Sequence, residues 1–261
     1  MNTSQNKIQK NTYFMKLALE QAKINLGNTN GNPSVGCVIV KDNTVIAVGS
    51  TSIGGRPHAE CNAVRFSKRD LRKSTLYVTL EPCSHFGKTS PCTNLIIKKK
   101  IKKVFYSIPD YDLRSKNKCY NIFKKKNILT HRGLCKKEIN YFYRSYIKSK
   151  TTIFPYLTAK LAISKDFYTI NKKNEWITNS FSRSRVNYIR SNFDCIMTSS
   201  KTIIKDDSRL TCRIEGLYNR SPARIVLDNK LKTPLRSNIV KQSKKFRTII
   251  FHNTENPKKI K

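Results

Sequence analysis

Acidic side chains are scarce in this chain: Asp and Glu total 16 against 52 Lys and Arg, a formal net charge of +36. Such an imbalance is what a nucleic-acid binder carries, because Lys and Arg neutralise phosphates. An Arg-rich arm and an interleaving of basic with aromatic residues are both missing, however. The lysines crowd helix-like surface segments such as IIKKKIKK and IFKKKNI. The charge is therefore read as compositional, and nucleic acid is not expected as a partner. A basic surface would still help to recruit a phosphorylated small molecule. Long apolar runs are also missing. No window approaches the roughly 18 consecutive apolar residues of a membrane helix, so no membrane partner is expected. The first ten residues, MNTSQNKIQK, have no apolar stretch of the secretory kind, and a cytoplasmic protein is expected. No internal repeat is visible.

The eight cysteines lack the even spacing of a disulfide framework and are expected to be thiols or metal ligands. Cys37 sits in the apolar run VGCVIV and reads as core. Cys61, Cys119, Cys135, Cys195 and Cys212 carry no ligand spacing.

The length of 261 residues suits two modest domains. Apolar positions at Phe14, Leu17, Ala18 and Ile24 predict a helix over 12–25. Residues 35–40 read as a buried strand, and Asp42-Asn43 as a hairpin turn into a strand over 44–48. Pro57 marks a helix start running to Phe66. Strands follow at 75–79 and 104–107, with a helix from Cys92 to Lys99 between them. Helices are expected near 118–125 and 135–148, flanking a short strand at 128–130. The alternation indicates a three-layer α/β domain over 1–148. KSKTTIFP reads as the boundary. A second α/β pattern occupies 149–261: strands at 156–163, 195–199, 223–227 and 247–252, and a helix at 181–191.

Two segments carry chemistry: PHAE at 57–60, and TLEPCSHFGKTSPC ending at Cys92. His58, Cys83 and Cys92 supply three donors suited to zinc. A catalytic zinc site keeps three protein ligands and leaves the fourth position to water, whose pKa the metal brings towards neutrality. Glu60, two residues after His58, is placed to shuttle a proton from water to a leaving amine. Prolines before His58, Cys83 and Cys92 suggest helix starts, where a thiolate is favoured. A purely structural zinc site would want a fourth ligand, for which His85 is the candidate.

The spacing departs from the Pro-Cys-x-x-Cys of nucleoside deaminases. Together NPSVGCVIVKD, RPHAECNAV and LYVTLEPCSHFGKTSPC resemble the RibD family of riboflavin-biosynthesis deaminase–reductases. The resemblance runs over nearly the whole chain. It implies a cytidine-deaminase-like domain followed by a partial dihydrofolate-reductase-like α/β domain. It implies hydrolytic deamination of 2,5-diamino-6-ribosylamino-4(3H)-pyrimidinone 5′-phosphate. It also implies substrate contacts from Asn32, His85, Lys88, Asp110 and Asp112. The family's Asp-Pro-Asn-Pro loop reads DYDL here, with Asp112 in place of Asn.

The second half is similar to the family's NADPH-dependent reductase through PYLTAKLAISKD, EWIT, SRSRVNYIRSNFDCIMTSSKTIIKDDSRLTCR and RIVLDNKLKTP. By that resemblance Ala162, Thr202, Asp206 and Asn229 fall near the cofactor, and Trp176, Arg190 and Arg213 near the substrate. The family's Glu-Gly-Gly-type segment has no counterpart in these 261 residues, which leads to the expectation that reduction is impaired or lost. The alternatives are a fully bifunctional enzyme using NADPH and, in a different class, a nucleic-acid-binding deaminase-like module. Self-association is a further expectation from the family.

Overall fold

The apolar run that opens at Val35 becomes the second strand of a five-stranded sheet, buried on both faces. The structure, a computed structural model, describes residues 3–169 and 176–253. The chain divides into two units, Met1–Thr158 and Ala159–Lys261.

The first unit runs α1 (Thr3–Lys23), β1 (Gly36–Lys41), β2 (Thr44–Ser50), α2 (Ala59–Phe66), β3 (Thr75–Leu80), α3 (Cys92–Lys98), β4 (Lys103–Ile108), α4 (Cys119–Lys124), β5 (Leu129–Arg132), α5 (Lys136–Phe142) and α6 (Arg144–Thr151). Strand order is β2-β1-β3-β4-β5. β1 pairs antiparallel with both β2 and β3, while β3, β4 and β5 are parallel. The β1–β2 turn places Asp42 (φ 46°) and Asn43 (φ 63°) in the left-handed region, which the hairpin twist requires and Asp and Asn tolerate.

The alternation of strand side chains builds three layers. Val38, Tyr77, Phe105 and His131 are in register across β1, β3, β4 and β5. On that face Phe14 of α1 meets Tyr77 with ring centroids 5.3 Å apart, and the stack continues to Phe105 at 5.0 Å and His131 at 4.7 Å. Cys37 and its partner Gly49 point to the other face. There α2 lies so close that a Cβ on Gly49 would come within 2.3 Å of the Ala59 carbonyl oxygen.

The segment expected as one helix over 135–148 is two, broken at Tyr143. The Tyr143 hydroxyl donates to the Ser34 carbonyl at 3.0 Å and meets Thr79 Oγ1 at 2.6 Å, both buried. Anchoring that ring under the sheet takes precedence over a straight helix. The expected boundary at 148/149 falls inside α6. Arg144 of that helix still donates to the Tyr156 hydroxyl at 2.7 Å.

The second unit contains α7 (Ser180–Arg190), β6 (Cys195–Ser199), α8 (Ser200–Asp206), β7 (Ala223–Leu227), α9 (Asn238–Lys241) and β8 (Thr248–Phe251). Its sheet is parallel, ordered β6-β7-β8. The strand expected over 156–163 is not one: these residues join no described ladder, and Leu157, Leu161 and Ile163 are exposed. Apolar content without a partner strand does not make a sheet. Ile203, Leu210, Val226 and Ile239 form a small core, beside which Arg224 is fully buried.

No described helix is long and apolar enough to cross a membrane.

Candidate active site

The C-terminal ends of the parallel strands β3 and β4 open a crevice, where α/β sheets place ligands. Three elements meet there. His58 caps the N-terminus of α2 with extended backbone (φ −69°, ψ 161°). Buried Asn62, one turn on, fixes this entry by donating to the Ser50 carbonyl at 2.7 Å and to Ser52 Oγ at 2.9 Å. Cys92 is the first residue of α3, with Pro91 at the cap. Cys83 follows β3 in a loop. The expectation that Pro82 starts a helix at Cys83 is therefore wrong, since the chain must cross from the sheet end to α3. The stabilisation comes instead from α3, whose first amide, that of Cys92, donates to Cys83 Sγ at 3.3 Å.

One donor atom from each of His58, Cys83 and Cys92 lies within 4.8 Å of the other two. His58 Nδ1 is 3.5 Å from Cys83 Sγ and 3.4 Å from Cys92 Sγ. Tetrahedral zinc with Zn–N about 2.0 Å and Zn–S about 2.3 Å sets N and S ligands roughly 3.5 Å apart. The donor set and its spacing thus fit zinc. The Cys92 thiol hydrogen-bonds to Cys83, and together with His58 this holds the Cys83 thiol down at about 4, while Cys92 is pushed up. A cation held between them takes both as thiolates. Cys61, which has no ligand spacing, adds a side-chain hydrogen bond to Cys92 that lowers its own thiol to about 7.

Glu60 is buried on the first turn of α2 and stands outside this donor group. Burial, followed by the charge of Cys83, raises its carboxyl to about 7, where it can both take and give a proton. His85 does not join the donors either. Its Nδ1 lies 2.7 Å from the buried Ser115 hydroxyl. Among the described residues the cluster has three ligands, not the four of a closed structural site.

The pocket beside them has a volume of about 90 Å³. Asn32, His85, Asp110 and Asp112 line it with His58, Glu60 and Cys83. Asn32 packs against Gly55, whose φ of +86° suits glycine and where a Cβ would fall 2.3 Å from Asn32 Nδ2. Lys88 is exposed and not on the pocket wall. The wall cations are Arg56, Arg114 and Lys150, which the motifs did not single out. Arg114 grips Asp112 with Nε–Oδ1 at 2.9 Å and Nη2–Oδ2 at 2.6 Å, so that carboxylate is held well below its usual range. Tyr146 donates to Asp110 Oδ1 at 2.8 Å, and burial raises the Asp110 carboxyl. Behind the loop, buried Glu81 accepts the amides of Asp110, Asn117 and Cys119 at 3.1, 2.9 and 3.0 Å. Glu81 sits in the EPC triplet, but contacts 29 to 38 residues away leave no local mark in a sequence.

A cleft of about 1440 Å³ in the second unit is lined by Ala162, Trp176, Arg190, Thr202, Asp206 and Arg213. Asn229 is exposed in the turn after β7 and is not on that wall. Arg190 donates to the Thr211 carbonyl at 3.1 Å, and burial, then the charge of Arg213, lowers its pKa.

Both units resemble known protein families. Residues 8–108 match the family described as cytidine and deoxycytidylate deaminase zinc-binding region, and residues 155–261 match the RibD C-terminal domain. RibD of Actinobacillus pleuropneumoniae is 37% identical over 252 residues, 95% of this chain and 66% of that protein. RibD of Aquifex aeolicus is 35% identical over 94% of this chain and 69% of its own length. The chain belongs to the RibD family. A solved member from Thermotoga maritima, named as diaminohydroxyphosphoribosylaminopyrimidine deaminase/5-amino-6-(5-phosphoribosylamino)uracil reductase, superposes with a TM-score of 0.87. It is 33% identical, over 96% of this chain and 72% of that one. The chain thus spans about two thirds of the length of the RibD relatives it matches. A zinc-binding deaminase domain and a RibD-type reductase domain are both present. The expectation that reduction is impaired or lost gains no support from these matches, which favour the bifunctional alternative.

Proposed function

We propose that the first unit hydrolyses the amino group of 2,5-diamino-6-ribosylamino-4(3H)-pyrimidinone 5′-phosphate, giving the corresponding uracil and ammonia. The observation that carries this reading is a donor cluster of three, not four, among the described residues, with buried Glu60 next to it and outside it. His58, Cys83 and Cys92 would hold zinc, which supplies Lewis acidity and makes water nucleophilic near neutral pH. Glu60 accepts the proton of the attacking water and returns it to the departing amine, so ammonia leaves and the ring carbon gains oxygen. Asn32, Asp110 and Asp112 orient the ring, Asp112 in a geometry set by Arg114. Arg56 and Lys150 supply the positive charge for the phosphate. The test is ammonia release by the purified chain on this substrate without NADPH. A zinc-loaded chain that leaves the substrate intact would sink the reading.

A second activity, NADPH-dependent reduction of the ribose, is favoured by the cleft of the second unit. It gathers six of the seven side chains that the family resemblance nominates there. Its two arginines, Arg190 and Arg213, suit an anionic substrate. Substrate-dependent oxidation of NADPH, followed beside ammonia release, measures it separately.

A further inference from the structure

The chain that carries Asp110 and Asp112 runs on to Ser115, which lies behind the pocket residue His85. The Ser115 side chain is fully buried between Ser84 and His85. The Ser84 amide can only donate, and it donates to Ser115 Oγ at 3.3 Å. The same oxygen lies 2.7 Å from His85 Nδ1. Among the described residues these are the two partners of that hydroxyl. If His85 donated from Nδ1, the hydroxyl would accept twice and its own proton would be buried unpaired, which is costly. The satisfied arrangement has the Ser115 hydroxyl donate to Nδ1. A neutral imidazole that accepts at Nδ1 carries its proton at Nε2.

We propose that Ser115 is a positioning residue that fixes His85 as the Nε2–H tautomer and so makes it a hydrogen-bond donor to an acceptor-only oxygen of the substrate. The inference rests on the deaminase reading for the identity of that substrate. The direction of Nε2 supports it. A Cβ added to Gly87 would lie 3.8 Å from His85 Nε2 and 3.5 Å from Arg56 Nη2, so both donors border one space. The two pocket aspartates do not compete for them: Asp112 is held by Arg114 and Asp110 by Tyr146. Two converging donors suit a phosphate oxygen or a ring carbonyl, each of which only accepts.

The experiment is nitrogen-15 NMR of the imidazoles in the zinc-loaded full chain at one pH, beside steady-state kinetics, for the wild type, Ser115→Ala and Ser115→Thr. The wild type should show His85 protonated at Nε2 alone. Ser115→Ala should mix the tautomers and raise KM about 3- to 10-fold, the range of one hydrogen bond, while kcat and zinc content hold. Ser115→Thr keeps the hydroxyl and should restore both readouts. A wild-type His85 protonated at Nδ1 would overturn the proposal, as would an alanine variant with unchanged tautomer and KM. The spectrum needs no substrate, so lack of turnover by the wild type would count against the deaminase reading alone. If the KM increment vanishes with the dephosphorylated nucleoside, the donor serves the phosphate. If it persists, the donor serves the ring carbonyl; both outcomes support it.

Discussion

The amide of Cys92 donates to the sulfur of Cys83 at 3.3 Å. Helix α3 therefore begins on one candidate metal ligand and turns its first free N–H towards the other. An N–H at a helix start has no intrahelical partner and favours a thiolate there. The pair is built into a secondary-structure junction rather than hung on a free loop.

Removing Cys83 should empty the site. Cys83→Ala leaves one sulfur and one imidazole, too few for tight zinc binding, and metal affinity is coupled to folding. Atomic absorption should find well under one zinc per chain, with a lower melting temperature. One full equivalent of zinc in this variant would take Cys83 out of the ligand set.

Glu60→Gln should separate binding from proton transfer. The amide keeps the shape but cannot carry the proton. Zinc content should stay at one per chain, and kcat should fall by at least about 10²-fold, the usual size of a general acid–base contribution. Near-normal kcat would move the proton to another group.

Much of this site is legible in the sequence for a local reason. PHAE and EPC stand at strand and helix ends, where apolar runs such as 75–80 stop, and their residue types already form a zinc donor set. The partners that shape the pocket are not legible. Glu81 binds amides 29 to 38 residues away, and Ser115 reaches His85 from 30 residues on. Lys88 stands within the ligand loop, yet its side chain is exposed, and Arg56 takes the wall. Such choices depend on how the loop turns, which spacing does not record. The strand expected at 156–163 fails similarly, because a ladder needs a neighbour that no single segment specifies.

Gly55 offers a test of the pocket wall. Alanine there must accept a φ of +86° and place its Cβ 2.4 Å from the Thr29 carbonyl oxygen and 2.3 Å from Asn32 Nδ2. Gly55→Ala should lose about 1–3 kcal/mol of stability, typical of one strained backbone position, and raise KM by displacing Asn32. Urea unfolding and kinetics read the two effects. An unchanged midpoint and KM would show that the wall yields without cost.

Arg224 tests whether the second unit can unfold without the first. It is fully buried and has no carboxylate partner among the described residues. Its guanidinium donates to the carbonyls of Arg209, Ile239 and Phe246 and to Thr248 Oγ1. Arg224→Leu leaves those carbonyls unsatisfied and should cost about 2–4 kcal/mol. Limited proteolysis should then cut the second unit while zinc content and ammonia release persist. Loss of zinc in this variant would mean that the units fold as one.

Whether the first unit is a zinc-dependent aminopyrimidine deaminase is tested most directly by one titration. The purified full chain is stripped with a chelator, given the diaminopyrimidinone ribotide without NADPH, and assayed for ammonia as zinc is restored stepwise. A zinc-dependent deaminase should give no ammonia when stripped, and a linear return of activity that saturates at one zinc per chain. Ammonia release that survives stripping, or its absence at full zinc occupancy, would contradict that assignment.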